Sequence, residues 1–480
     1  ADDVLATKVR FRLQVEGLYF MHNGTQQFSI TAPNAIPVGD VNAITSIGFS
    51  SKRQDEFKIG KFGVGFKSVF QYTSTPHIYD PKMAFRIRDF IVPELLEEQD
   101  HPMKKAEETL FFFPFDHPKK TAEQSEKEIR NRLSKLQFPL LFLNHLKEIE
   151  WDSGEAAGSY VLEVMEHRRV QDVDYQELID FIRNGRQAKK QRFIKLSKRD
   201  SQKNLPISLV FLLNEENQFQ NQRTFPAFCF FRTRIQSPFH FLLHAPFLLT
   251  DSREGIQLEH EWNISLLEQL ADLLCDGFEV LKETNHLNTS FFEVLTLESR
   301  AFKGEEGQFF RPFLQKLLLF FQQTKAVIFP TASDFITLEN AYLAASPSLK
   351  NFFPTTSLQV LTQNEQADWV FPNLKLYTPF GEFFKQFLQD QAKLGNDFKH
   401  VFSWEEIIGW ITEEFIKKQS DEWLIAIYEE WYQQHRSLWP RLKYLPIIRT
   451  EQNEILAPFD RESHKPNVFL PSQFSSDYPT

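Results

Sequence analysis

Apolar and polar positions alternate in short runs over the first third of the chain and settle into helical spacing towards its end. Leu18-Tyr19-Phe20-Met21 runs into His22-Asn23-Gly24, the pattern of a strand that ends in a tight turn. Glu108-Thr109-Leu110-Phe111-Phe112-Phe113-Pro114-Phe115 predicts a buried strand, and the charged stretch 117–132 predicts a loop leading into a helix. Residues 1–155 therefore read as alternating strands and helices. From 156 to 285 the pattern predicts strands at 160–164, 193–196, 207–213, 227–231 and 239–243, with a helical insert near 175–183. A helix follows at 262–282, where Leu266, Leu267, Leu270, Leu273 and Leu274 share one face. Further helices are predicted at 309–323, 380–394, 404–417 and 421–434. Ser403 and Ser420 stand as N-caps before acidic first turns. Residues 446–458 close the pattern as a small hairpin.

Residues 59–70 read Ile-Gly-Lys-Phe-Gly-Val-Gly-Phe-Lys-Ser-Val-Phe. Gly60, Gly63 and Gly65 precede an apolar run that could open a helix. Glycine reaches backbone angles closed to other residues and lets a polyanion approach the main chain. Free amides at a helix start bind phosphate. The spacing matches neither the dinucleotide fingerprint nor the P-loop. The dodecamer closely resembles the Gly-rich lid of the Bergerat-fold ATPases: gyrase, histidine kinases, mismatch-repair MutL and the heat-shock chaperone ATPases. Ser46-Ile47-Gly48-Phe49-Ser50-Ser51-Lys52 resembles the segment before that lid, and Glu108 to Phe115 the later strand whose Thr lies beside the base. Together with Tyr72-Thr73-Ser74-Thr75-Pro76, these motifs are most similar to the sacsin-like branch, in its large bacterial members. The segments Phe138-Pro139-Leu140-Leu141-Phe142-Leu143 through Lys147-Glu148-Ile149, and Phe241 through Glu254, also resemble that branch. The resemblance is specific over roughly the first 120 residues, fair to about 290 and thin beyond.

The resemblance implies a Bergerat-type α/β sandwich at 1–155, a transducer-like mixed α/β domain at 156–290 and a mostly helical domain at 291–480, an α+β chain in all. It implies ATP and Mg2+ as ligands. Gly60, Lys61, Phe62, Gly63, Val64, Gly65 and Phe66 would line the phosphates, Lys52 would assist, and Asn23, Gly24 and Thr109 would face the base. The family usually carries Asp-x-Gly where this chain has His22-Asn23-Gly24, so the adenine-binding carboxylate is missing. Asn still offers a carbonyl acceptor. Lys67 and Arg253 compete for the terminal phosphate, Arg253 as the basic residue that reaches back from the second domain. The family also opens on a helix reading Glu-x-x-x-Asn-x-x-Asp, whose Glu activates water and whose Asn holds magnesium. Here Ala1-Asp2-Asp3 resembles the tail of that motif, with Asp3 at its Asp, which suggests an internal fragment lacking the general base.

Composition narrows the reading further. Hydrophobic residues make up 42% and charged residues 25%, a balance that folds. A net charge of −10 argues against nucleic-acid or membrane-surface binding by the chain as a whole. The basic runs Lys189-Lys190-Gln191-Arg192 and Lys195-Leu196-Ser197-Lys198-Arg199 read as solvated loop or strand edge. Two distant cysteines, Cys229 and Cys275, suggest a reducing, cytoplasmic compartment. The 51 phenylalanines and the tryptophans Trp404, Trp410, Trp423, Trp431 and Trp439 read as core. The resemblance implies three possible functions: a slow ATPase used as a conformational switch, a nucleotide-binding module without hydrolysis, or the ATPase part of a bacterial defence or nuclease assembly. Client, partner and oligomeric state are not written in the residues.

Overall fold

The computed structural model describes residues 4–32, 38–46, 66–250, 254–295, 301–393 and 400–469. The chain divides into two compact units, residues 1–280 with 304–313, and residues 281–303 with 314–480. It is a mixed α/β protein with a large mixed sheet and helices.

In the first unit the strands are β1 (Lys8–Gln14), β2 (Gly17–His22), β3 (His77–Tyr79), β4 (Ala84–Arg88), β5 (Val92–Leu95), β6 (Thr109–Pro114), β7 (Glu148–Asp152), β8 (Ala157–Val170), β9 (Val173–Asn184), β10 (Gln187–Arg199), β11 (Pro206–Leu213), β12 (Pro226–Cys229), β13 (Phe231–Gln236) and β14 (Leu242–His244). Among the described residues they form one sheet in the order β13-β12-β14-β11-β10-β9-β8-β7-β1-β2-β6-β3-β4-β5. Only β1–β7 and β12–β14 pair in parallel. The expected division at 155/156 falls in the turn joining β7 to β8, and the sheet continues across it. The helices are α1 (Asp40–Thr45), α2 (Ala122–Leu133) and α3 (Glu261–Glu283). Helix α2 begins at a capping box: Thr121 Oγ1 accepts from Gln124 N at 3.2 Å, and Gln124 Oε1 accepts from Thr121 N at 3.2 Å.

The main core lies on one sheet face. Val9 and Leu13 of β1, Ile149 and Trp151 of β7, and Tyr160, Leu162 and Leu178 further along meet Ile129 and Leu133 of α2 and the segment Phe138 to Leu146. On the opposite face Lys8 pairs with Glu148 and Glu150 at 3.0 and 2.7 Å, and Arg10 with Glu108. Helix α3 is tied to the far strands by Lys198 Nζ to Asp276 at 2.9 Å. It passes so close that a Cβ on Gly277 would meet Leu196 Cδ1 at 2.5 Å.

The helical insert expected near 175–183 is instead β9. Leu178 and Ile179 are both buried although they point to opposite faces. A strand covered on both sides carries apolar residues at consecutive positions, and with Tyr175 and Ile182 these mimic helical spacing. The strand expected at 227–231 is broken at Phe230, whose φ of 59° reverses the chain between β12 and β13.

The second unit contains a three-stranded parallel sheet of Asp368–Trp369, Ala341–Ala344 and Val401–Phe402, in that order. The helix expected over 404–417 is interrupted: Trp404–Ile407 passes into a 3-10 turn, Ile408–Trp410, and Thr412 caps a new helix, Glu413–Lys417, by accepting from Phe415 N. Asp421–Gln434 follows, with Ser420 as its N-cap. The expected terminal hairpin pairs Ile448–Arg449 with Ile455–Leu456. Trp404 and Trp431 are buried, with Trp410 and Trp423 packed against the same cluster, whereas Trp439 is 48% exposed and lies 5.7 Å from the Tyr432 ring.

Asp180 of β9 is a buried carboxyl on the core face, and its Oδ1 has no hydrogen-bond partner. Burial pushes its pKa up to about 7 from 3.8. The folded chain then keeps a proton that the unfolded chain releases, so this group makes stability fall as pH rises from about 4 to about 7, after which its contribution is level. Asp180→Asn removes that slope. Urea denaturation of both proteins at pH 5 and pH 8 tests this: the variant gains more over the parent at pH 8, and an equal difference at both pH values contradicts the assignment.

Candidate functional site

The nucleotide-like motifs map to the sheet half formed by β2, β6, β3 and β4. Strand alternation sorts their side chains cleanly. Phe20, His22, Thr109, Phe111, Ile78 and Phe85 share one face, because His22 lies opposite Thr109, Phe20 opposite Phe111, and Ile78 opposite both Phe111 and Phe85. Tyr19, Met21, Leu110, Tyr79 and Ala84 form a separate cluster on the other face. The first face is covered by Val41 of α1 and by Phe70 and Phe66 of the short 3-10 helix Phe66–Gln71. The Phe66 ring sits 6.3 Å from that of Phe111. Helix α1 is fixed by Asn42 Oδ1, which accepts from Thr31 N at 2.9 Å, and by Asp40 Oδ2, which accepts from Ser29 Oγ at 2.8 Å.

At the end of β2 the turn is held by its own side chains. His22 is buried, and its Nδ1 accepts from Gly24 N at 3.1 Å. Burial lowers its pKa to about 4, so the ring is neutral and carries its proton on Nε2. Asn23 Oδ1 accepts from Thr7 N and Lys8 N, both at 3.0 Å, while its Nδ2 donates to Thr7 Oγ1 at 2.9 Å. The carbonyl oxygen expected to face a base is thus engaged with the start of β1. Gly24 leaves no room for a side chain, since a Cβ would lie 2.8 Å from Val4 O.

Two carboxylates at this site are absent from the motifs. Asp80 follows β3 and is almost fully buried. Its Oδ2 accepts from Thr109 Oγ1 at 3.2 Å and Phe28 N at 3.3 Å, and its Oδ1 accepts from Lys82 N at 3.1 Å. It stands beside Thr109, across the sheet from His22. Its only sequence signal is an Asp before Pro81 at the end of an apolar run. Asp116, just past β6, binds the Thr73-Ser74-Thr75 motif: Oδ1 accepts from Thr73 Oγ1 at 3.1 Å and Ser74 N at 2.6 Å, and Oδ2 from Thr75 Oγ1 at 2.6 Å. That motif is therefore a fastening between the 3-10 helix and β6.

Lys67 Nζ donates to Phe90 O at 2.9 Å, and burial lowers its pKa. Asp3, Lys52, Gly60, Lys61, Phe62, Gly63, Val64, Gly65 and Arg253 lie outside the described residues. Thr250 N donates to Gly255 O at 3.0 Å. Among the described residues no cluster of three His, Cys, Asp or Glu side chains could hold a metal ion. No helix among them is long and apolar enough to cross a membrane.

The two later motifs meet each other. Phe142 stacks on His244 with ring centroids 4.9 Å apart and planes at 12°. Lys195 Nζ donates to Leu141 O at 2.8 Å. Burial, with the nearby Lys195, lowers the His244 pKa to about 3, and burial lowers that of Lys195 to about 8. Neither ring nitrogen of His244 has a hydrogen-bond partner. Cys229, a free cysteine on β12, has its thiol pushed up to about 12 by burial and is inert as a nucleophile at neutral pH.

No family model matches this chain, and no curated protein matches it.

Removing the Thr109 hydroxyl strips a donor from a buried carboxylate. Thr109→Val is expected to cost roughly 1–3 kcal/mol of stability. Urea denaturation at pH 7 measures it; an unchanged midpoint means that the Thr109–Asp80 contact contributes nothing.

Proposed function

We propose that the first unit is an ATP-binding module of the Bergerat type, with nucleotide binding acting as a conformational switch. One observation carries the reading. The His22-Asn23-Gly24 turn and Thr109 lie in register at the same end of β2 and β6, and Phe66, the residue after Gly65 in the glycine segment, packs on the same face. Three motifs chosen for their resemblance to one nucleotide site thus converge on one patch of sheet.

At the base end Thr109 lies opposite His22, and its hydroxyl donates to the Asp80 carboxylate; all three side chains are buried. Asn23 positions the turn through Thr7 and Lys8. The amides of Gly60, Gly63 and Gly65 would hold the phosphates, Lys52 would add a point charge, and Arg253 would sense the terminal phosphate. Bound Mg2+ would offset phosphate charge. The full Glu-x-x-x-Asn-x-x-Asp pattern is not written in these 480 residues: Glu259 and Asn263 have its first spacing, but Leu266 stands where the Asp would be. We therefore propose binding by this chain without hydrolysis; general-base assistance is typically worth about 10²–10⁴-fold.

Binding of a fluorescent ATP analogue in the presence of Mg2+ tests the site. The parent chain is expected to bind and to release no phosphate above background. Gly65→Val is expected to abolish binding with an unchanged circular dichroism spectrum. Equal binding by Gly65→Val and the parent refutes the phosphate loop, and robust turnover means the water-activating residue lies within the chain. Arg253→Ala is expected to shift the ATP/ADP affinity ratio by about tenfold, the worth of one charge-assisted contact. If Lys67→Ala removes the ATP preference instead, the phosphate sensor lies in the glycine segment.

A further inference from the structure

The hairpin of β9 and β10 turns at Asn184-Gly185, where Gly185 takes a φ of +60°. Every residue from 183 to 190 is exposed. Four of them are basic: Arg183, Arg186, Lys189 and Lys190. None is paired with a carboxylate among the described residues. Arg183 reaches only the Gly185 carbonyl, at 3.5 Å, and Lys190 lies over the Phe181 ring at 5.7 Å. By contrast, Arg192, two residues further along, is paired with Glu177. In a protein of net charge −10, four adjacent unpaired cations are a local exception.

Their placement on the sheet adds a second feature. Lys190 lies opposite Phe181, and Ala188 opposite Arg183, so Phe181, Arg183 and Lys190 share one face of the ribbon. Strand β8 extends that face, with Val161 opposite Phe181 and Ser159 opposite Arg183. Phe181 is 38% exposed, an aromatic ring open to solvent between two cations. Asp180 lies on the buried face; on the face of Phe181, Glu177 is paired with Arg192, and Glu163 is exposed on β8 opposite Ile179.

An acidic protein surface needs only the charge. An exposed aromatic on a sheet face, flanked by a guanidinium and an ammonium, also offers stacking. Single-stranded nucleic acid uses both, with phosphates on the cations and an unpaired base on the ring. We propose that the β9–β10 ribbon is a binding surface for single-stranded nucleic acid, with Arg183, Arg186 and Lys190 on the backbone and Phe181 against a base; Lys189, opposite Ile182, lies on the other face. The overall negative charge does not oppose this, because the interaction is screened beyond roughly 10 Å in ordinary salt. The proposal is independent of nucleotide binding by the β2–β6 site.

Fluorescence anisotropy of a fluorescein-labelled oligo(dT) of about 20 nucleotides, titrated with the whole chain, tests the assignment. Neutralising three phosphates on a single strand predicts an affinity that falls roughly 20-fold between 50 and 200 mM salt. Reversing the three cations together (Arg183→Glu, Arg186→Glu and Lys190→Glu) is expected to abolish binding. The milder pair Arg186→Gln and Lys190→Gln is expected to weaken it and to cut the salt slope to about one third, with an unchanged melting curve. Phe181→Ala is expected to cost about tenfold in affinity at the same salt slope. No binding at 50 mM salt, or parental binding by the charge-reversed variant, overturns the proposal. Tighter binding to a duplex of equal length overturns the single-strand assignment. A neutral Phe181→Ala with equal competition by polyglutamate shows a surface that reads charge alone, which fits an acidic protein and not a nucleic acid.

Discussion

The parallel pairing of β1 with β7 is the constraint on which the first unit depends. It joins the half of the sheet that carries the nucleotide-like motifs to the half that carries the long β8–β10 ribbon. Its register sets every face. Val9 lies opposite Ile149 and Phe11 opposite Trp151, which gives the core side; Lys8 lies opposite Glu148, Arg10 opposite Glu150 and Arg12 opposite Asp152, which gives the charged side. A slip of β1 by one residue would turn Lys8, Arg10 and Arg12 to the core face and Val9, Phe11 and Leu13 away from it. The ion pairs on the charged side are half-exposed, so they stabilise little by themselves. Their weight lies in disfavouring the wrong register.

That seam also positions the candidate site. Thr7 O accepts from Lys147 N and Glu148 N at 2.8 and 3.1 Å, just before β7. The amides of Thr7 and Lys8 then point at Asn23, so the turn after β2 is tied to the start of β1 and, through Thr7, to the start of β7. Asn23 is a positioning residue. Its amide fixes where Gly24 and His22 stand, and His22 fixes the register with Thr109. The carboxylate next to that pair comes from Asp80, which approaches from β3.

The two surfaces considered for binding differ in kind. The β2–β6 patch is built from buried, mutually hydrogen-bonded groups, which suits a small ligand that must be oriented. The β9–β10 ribbon is an open face of cations and one ring, which suits a flexible polyanion. Net charge is a property of the whole surface and does not describe either place. Within the fold, the cations at the hairpin stay unpaired because their cross-strand neighbours, Ser159, Ala188, Phe181 and Ile182, carry no carboxylate.

Local patterning settled much of this chain. The strand at 17–22 with its turn, the strand at 109–114, the helix at 261–283, the cap at Ser420 and the terminal hairpin all follow from short-range rules, because their signals lie within a few residues of each other. What the sequence did not reveal depends on distant partners. Tyr175 to Arg183 reads as a helix until both faces of β9 are seen to be covered. Asn23 reads as a ligand group until Thr7 and Lys8 claim its oxygen. Asp80 and Asp116 carry no motif, and only folding places them against Thr109 and the Thr73-Ser74-Thr75 segment. The basic run at 189–192 reads as a strand edge, and only the register with β9 places Lys190 opposite Phe181 and beside Arg183. Periodicity fixes which face a residue takes. Which residue comes to lie across from it is decided by strand pairings between segments far apart in the chain, and short-range sequence rules cannot express that.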